Sequence, residues 1–416
     1  MISKRVKVAT VDPFKLLPIN IARATNNRYN KEFKPWLKRA LTNLVHSSAL
    51  HISNPDTNDL HVFLIPTCFA SHLHLYQQIN IICESYAAWI DKRNPSDNVV
   101  IVASDIGECF EPAMWKTLLV LDHLSKTLNN KEHDINHIYA TAAIPTDINY
   151  KEMHELGLWS NYKTPFNILY YPNWANSAIR QQSNTAYQVN EPTVGHKPNK
   201  ILCYNNSNKS HRAVIAGKLL QLKDSLPSAM SWLKPSDQYF KQVEDRFPDQ
   251  INAIKTITEP LKLNDWTYED GFCRVDPEHA KTCHVGLVTE TVFYQNYSMK
   301  SDEPSLFGRF CTEKTWKCIN TYMPFILVTR PHTLQALRNL GFKTFDQWWD
   351  EGYDTVIDDL ERLDVLIKLL DDLSTWTETD WISFSENVVP IVLHNKERIN
   401  MYTKELYFNG EMICRM

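Results

Sequence analysis

Glycine is scarce in this chain, ten in 416 residues, and none falls in a Gly-x-Gly-x-x-Gly or Gly-x-x-x-x-Gly-Lys pattern. A backbone cradle for phosphate is thereby excluded, so any bound phosphate must be held by side chains and helix ends. The nine cysteines are scattered and none stands in a Cys-x-x-Cys pair. That placement argues against a disulfide framework and points to free thiols in a reducing compartment. No run approaches the 18 or so apolar residues of a membrane span. The opening MISKRVKVATVDPFKLL carries positive charge without an apolar core, so no secretory signal is expected. A cytoplasmic protein is the resulting expectation.

What is present is a globular composition, 43% hydrophobic and 22% charged, with a formal net charge of −4. At this length two domains are expected. The charge is unevenly spread: residues 1–200 hold 20 Lys+Arg against 17 Asp+Glu, and residues 201–416 hold 24 against 31. The first 39 residues carry ten basic side chains and only Asp12 and Glu32 as acids, with Phe14, Tyr29, Phe33 and Trp36 among them. Such an arm suits either a solvated surface segment or a polyanion, through counterion release from its phosphates.

Short apolar runs alternate with helical spacing along the chain. DLHVFLIPTCF (59–69), DNVVIVASDIGECF (97–110), HIYATA (137–142) and FNILYY (166–171) read as strands. Helices are read between them over 73–92 and 113–128. The polar stretch 181–200 reads as a linker. A second series follows: ILCY (201–204), a helix opening near Ser210, HVGLVTET (284–291), a helix over 313–322, and PFILVTR (324–330). The last, over 355–376, places Leu360, Leu363, Ile367 and Leu370 on one face. Strands alternating with helices predict an α/β fold of parallel βαβ units. The expected division is 1–185, 198–376 and a helical tail 377–416 that packs back on the first domain. The two α/β halves would face each other across a cleft, where small-molecule sites are common.

Two helix starts carry the candidate chemistry. In NNSNKSHRAVIAGKLL, Asn208 or Ser210 suits the cap of a helix whose free N–H groups form an anion site, and Arg212 in the first turn can grip phosphate oxygens in bidentate fashion. An ordinary capped surface helix fits the same residues. In CTEKTWKC, Lys314 sits at the positive end of a helix, where a cation is poorly placed unless an anion lies there too. Glu313 beside it can accept two hydrogen bonds from a vicinal diol such as a ribose. A surface ion pair of small energetic value also fits.

The segment CTEKTWKCINTYMPFILVTRPHTLQALRNLGFKTFDQWWDEGYD resembles a group of phage, viral and bacterial glycosyltransferase-like proteins. They share a T-E-K-T-[WF]-K segment, a P-F-I-L strand and a W-W-D-E-x-Y-D ending. Its T-E-K core also resembles the nucleotide-sugar motif of α1,3-fucosyltransferases. The resemblance spans about 200–376 and is most specific over 310–354. It implies a GT-B architecture, two Rossmann-like domains with the donor held mainly by the second. It also implies Glu313 on the ribose, Lys314 and Arg212 on the diphosphate, and Glu290 as the upstream acidic position. The turn holding Asn206 and Ser210 resembles the same group's phosphate-binding turn. The implied activity is transfer of a sugar from a nucleotide-diphosphate-sugar, and the implied setting for a viral member is the host cytoplasm.

Two further readings complete the expectation. No two aspartates stand at i, i+2, so the Asp-x-Asp pair with which many metal-dependent glycosyltransferases hold Mn²⁺ or Mg²⁺ is missing. Metal-independent chemistry, with no cofactor, follows from that reading. A general base for the acceptor hydroxyl is sought in ASDIGECFEP, with Asp105 first and Glu108 second. A helix cap suits the same aspartate. His72 and His74 point to different sides in either a strand or a helix, which makes a paired zinc site a poor fit. Phe345, Trp348, Trp349 and Tyr353 read as packing rather than a sugar platform. The acceptor stays open between a glycan or similar hydroxyl, a hydroxymethylated base in phage-type DNA, and no acceptor at all in a non-catalytic binding protein.

Overall fold

The computed structural model describes residues 5–10, 37–38, 40–41, 59–66, 79–94, 97–105, 135–141, 167–171, 173–182, 188–205, 209–232, 240–263, 275–294, 311–409 and 412–414. The chain divides into two compact units, one formed by Met1–Asn173 with Thr403–Met416, the other by Trp174–Ser305 and Arg309–Tyr402. Both are built on parallel sheets, which is the α/β class expected from the strand and helix spacing.

In the first unit, β1 (Arg5–Thr10), β2 (Asp59–Pro66), β3 (Asn98–Asp105), β4 (Ile135–Thr141) and β5 (Asn167–Tyr170) pair in parallel, and the helix α1 (Ile79–Ile90) lies between β2 and β3 in the chain. Leu60 to Ile65 and Val99 to Val102 are buried at every position. Strands covered on both faces need unbroken apolar runs, which is what VFLI and VVIV supply. The strand order runs β1-β2-β3-β4-β5 without reversal. A crevice at a reversal of strand order is therefore absent from this sheet among the described residues, and the position of β3 gives Asp105 no special standing.

The second unit opens with α2 (Asn173–Gln182), which the linker expectation partly overlapped. Then follow β6 (Asn199–Asn205), α3 (Ser210–Gln221), β7 (Ser228–Trp232), α4 (Pro248–Lys255), α5 (Pro277–Thr282), β8 (Cys283–Thr289), α6 (Glu313–Asn320), β9 (Phe325–Val328), α7 (Thr333–Asn339) and α8 (Asp359–Ser374). The sheet order is β7-β6-β8-β9, all parallel. From β6 the chain first adds β7 on one side and then crosses to add β8 and β9 on the other. Order reverses between β6 and β8, and the carboxyl ends of those two strands flank the crevice in which such sheets place ligands.

Every residue of β8 and β9 is buried, and α3 is buried from Ser210 to Leu219. Gly217 makes that depth possible: a Cβ there would overlap the backbone of Gln250 in α4. Helix α6 ends in a left-handed residue, Tyr322 (φ 57°), with the Met323 amide returning to the Cys318 carbonyl at 3.0 Å. That closure turns the chain directly through Pro324 into β9.

Helix α8 differs from its expected orientation. Leu363, Leu366, Leu369, Leu370 and Leu373 are buried together with Arg362, while Leu360 and Ile367 are half-buried. Arg362 turns inward because carbonyl acceptors surround it: it donates to Thr329, Phe293, Val356 and Ile357, and to the Asp359 carboxylate at 2.5 Å. Beyond it, α9 (Glu378–Asn387) and α10 (Val389–Asn409) precede the short strand β10 (Met412–Cys414), which pairs antiparallel with β5. The tail thus returns to the first sheet at its very end, while α9 belongs to the second unit.

Phe345, Trp349 and Tyr353 are buried and Trp348 is half-buried. Phe345 packs on Phe325, and Trp348 and Trp349 on Phe384 of α9, at ring separations of 5.0 to 5.5 Å. Packing is their observed role.

Candidate functional site

The carboxyl end of β8 is the hub of the second unit. Thr289 donates its hydroxyl to the Asn205 side-chain oxygen at 2.6 Å, tying the ends of β8 and β6 together across the reversal. Asn205 is itself held by Ser231 at the end of β7, whose Oγ accepts from its amide at 3.1 Å. Three neighbouring strand ends are thereby locked into one platform.

Glu290 follows Thr289 and is completely buried. Its Oε1 accepts from the Thr312 amide at 3.0 Å and the Thr315 hydroxyl at 2.7 Å. Oε2 accepts from the Thr312 hydroxyl at 2.5 Å and the Thr291 amide at 3.3 Å. Four donors occupy the four acceptor positions of a carboxylate. In this structure Glu290 grips the start of α6 and leaves no lone pair directed at a ligand.

The start of α6 follows from a local rule. Thr312 is the N-cap: its side chain accepts from the Lys314 amide, and Glu313 in the first turn complements the positive helix end. The Thr312 hydroxyl, having given its single proton to Glu290, also accepts from the Lys314 ammonium at 2.9 Å. That ammonium further contacts Thr291 Oγ1 at 3.3 Å and the Glu313 carboxylate at 3.1 Å. Side-chain exposures of 16% for Lys314 and 8% for Glu313 put both at the lip of the platform, not on an open surface.

Helix α3 approaches the same hub from the other side of the reversal. Arg212 is buried, and its guanidinium donates to the carbonyls of Thr289 and Glu290, both at 3.2 Å. Arg212 and Lys314, which stand at the starts of two different helices, both contact the segment 289–291. His211 is fully buried; its Nε2 is 3.1 Å from the Glu290 carbonyl and must carry the proton, because a carbonyl only accepts. Burial, with Arg212 and Lys209 nearby, holds His211 well below the usual histidine range, so the ring is neutral. The ring stacks on Phe293 at 4.9 Å, and the Arg362 guanidinium lies 4.3 Å from the Phe293 ring centre.

The remaining expectations fall as follows. Ser210 does not cap α3: Lys209 holds the N-cap position without a side-chain cap bond. The Ser210 hydroxyl is taken up by Gln242, to which it donates at 2.8 Å, and by Tyr294, from which it accepts at 2.6 Å. Asp105 ends β3 in register with Thr141 of β4. Asn206, Asn208, Glu108, His72 and His74 lie outside the described residues. Among the described residues no three His, Cys, Asp or Glu side chains gather as a metal site requires, and no helix is long and apolar enough to cross a membrane.

Sequence reasoning passed over Lys209, His211, Thr289, Thr291 and Thr312. Thr312 was legible as the residue before Glu313, a standard cap position. The others owe their place to contacts between strand ends. Chemically, the platform combines two helix beginnings, an arginine and two lysines with one carboxylate at its lip, which suits an anion attached to a hydroxylated group. Comparison with known protein families and with curated proteins finds no match to this chain.

Proposed function

We propose that the second unit binds a nucleotide-diphosphate-sugar and that the protein is an inverting, metal-independent glycosyltransferase of GT-B type, acting on a hydroxyl of a glycan or similar acceptor. One observation carries this reading: Arg212 and Lys314 reach the same three-residue segment at the point where strand order reverses. The T-E-K resemblance supplies the chemistry to go with it. In the reaction the bond from the anomeric carbon to the distal phosphate oxygen breaks as the acceptor oxygen attacks from the opposite face. The acceptor proton passes to a base, for which Asp105 and Glu108 are the sequence's candidates. Negative charge builds on the leaving diphosphate, and fixed cations with two helix ends stabilise it there more than in the bound donor. Glu313 takes the ribose hydroxyls.

A duplex-DNA acceptor is the second reading, favoured by the ten basic residues among the first 39. It requires retention on duplex DNA at low salt and loss of retention at high salt.

The test is a thermal-shift screen of the intact chain against UDP-, GDP-, CMP- and dTDP-sugars with EDTA present throughout. One nucleotide-diphosphate-sugar should raise the melting temperature, since a ligand of the folded state alone stabilises it. Lys314→Ala should reduce that shift. No shift with any donor, a shift that appears only when Mn²⁺ replaces EDTA, or equal shifts in both proteins would reject the reading.

A further inference from the structure

The amino end of the second sheet carries polar side chains on strands that are otherwise apolar. Asn199 pairs with Cys283 and Ile201 with Val285, so Lys200 and His284 stand side by side on one face of β6 and β8. Both are buried, His284 to 2% exposure. Helix α9 closes over them through Trp381, itself 1% exposed. The Trp381 ring centre lies 5.3 Å from that of His284 and 5.9 Å from the Lys200 ammonium.

This face is only partly paired. The Lys200 ammonium donates to the Lys197 carbonyl at 3.1 Å and to the Glu378 carboxylate at 2.5 Å, and His196 Nδ1 meets the other oxygen of Glu378 at 2.5 Å. Lys197, buried just before β6, donates to the Cys283 carbonyl at 3.0 Å, and burial lowers its pKa to about 8. Neither ring nitrogen of His284 nor the Trp381 indole N–H has a hydrogen-bond partner among the described residues. Each unpaired buried group costs stability, and three together break the rule that such groups find partners.

The chemistry of the unpaired groups specifies the partner. An indole and a lysine ammonium only donate. Burial, with Lys197 and Lys200 nearby, keeps the His284 ring neutral, so it offers one N–H and one acceptor nitrogen. A water molecule would bring two more donors to a place short of acceptors, whereas an anion only accepts. Ring centres 5.3 Å apart, under burial this complete, limit the occupant to one small ion.

We propose that Trp381, His284 and Lys197 bind one small monovalent anion of the chloride class between the amino ends of β6 and β8 and helix α9. The ion accepts from the indole and imidazole N–H groups and from the Lys197 ammonium, and so fastens α9 to the sheet. The site lies at the opposite end of β8 from the Thr289–Thr291 platform and is independent of the nucleotide reading.

Thermal unfolding of the intact chain tests it, with sodium chloride exchanged stepwise for sodium gluconate at constant ionic strength. Chloride should raise the melting temperature along a saturating curve, by about 5–10 °C at about a hundredfold excess over its dissociation constant. Trp381→Phe and Lys197→Met should each remove most of that rise. Chloride-35 NMR of the folded wild type gives a readout separate from stability: the line should be broadened by the protein and sharpened again by added bromide. Equal melting temperatures in chloride and gluconate, or a linear rise of the kind that salts excluded from the surface produce, would overturn the proposal. A saturating rise of full size in both variants would put the ion elsewhere and overturn it too. Absence of broadening in wild type would sink it whatever the variants do.

Discussion

Glu290→Gln isolates one carboxylate whose surroundings are fully specified. Four donors point at it, two of them backbone amides that cannot reverse: Thr312 N on Oε1 and Thr291 N on Oε2. An amide group must place its NH₂ against one of them. The cheaper arrangement puts nitrogen at the Oε2 position, facing the longer 3.3 Å contact from Thr291. The Thr312 hydroxyl must then reverse and accept, although it already accepts from the Lys314 amide at 3.4 Å and the Lys314 ammonium at 2.9 Å. One buried N–H is left unpaired and a charge-assisted bond is lost, a destabilisation of about 2–4 kcal/mol. In a unit of this size that lowers the melting temperature by roughly 5–15 °C. Thermal unfolding of the intact chain measures it. Thr315→Val removes one further donor to the same carboxylate, so the double variant should cost less than the sum of the singles. A Glu290→Gln protein melting with wild type would refute the assignment of Glu290 as the clamp on α6.

Two other perturbations test the packing around the site. Arg362→Met leaves the carbonyls of Thr329 and Phe293 and the Asp359 carboxylate without their donor. It should cost about 3–5 kcal/mol and lower the urea midpoint; an unchanged midpoint would mean those carbonyls find other donors. His284 is buried beside Trp381, and burial with Lys197 and Lys200 nearby pushes its pKa from 6.5 down to about 3. The fold keeps it neutral while the unfolded chain binds a proton below pH 6.5. Its contribution is therefore complete above that pH and is lost as pH falls toward 3, at about 1.4 kcal/mol per pH unit. His284→Phe should flatten the acid limb of the stability profile by about 2 kcal/mol between pH 6.5 and 5, and parallel profiles would overturn the assignment.

The parts of the fold that were legible in the sequence are those governed by local rules. VVIV and FILV announced strands buried on both faces because an unbroken apolar run has no polar side to expose. Glu313 and Lys314 announced a helix start, and Thr312, passed over in the sequence, caps it by the same local rule. Helix α2 was not legible: its buried face is built from Ala175, Ser177 and Ala178, small side chains that leave almost no hydrophobic signal. The inward turn of Arg362 was equally hidden, since its acceptors come from Phe293, Thr329 and the stretch before its own helix. The acids at the end of the most specific block belong to this class. Asp354 accepts from the Leu334 and Gln335 amides and so caps α7 from twenty residues away. Glu351 holds the Phe345 amide and Arg338.

Glu290 marks where reading a site from sequence reaches its limit. An acid at a strand end before a T-E-K helix can face a ligand or face the helix, and only the position of Thr312 and Thr315, 22 and 25 residues on, separates the two. Here it faces the helix. A carboxylate is then required at 290 by its four donors whether or not anything binds, so its presence says nothing about activity. The cations also hold the architecture: Arg212 donates to the Thr289 and Glu290 carbonyls, Lys209 to the Thr291 carbonyl, and Lys314 pairs with Glu313. Under the proposed reading Arg212 and Lys314 would in addition meet a diphosphate. The proposed reading therefore rests on Arg212 and Lys314 at two helix beginnings, while the acid at 290 is accounted for by the architecture alone.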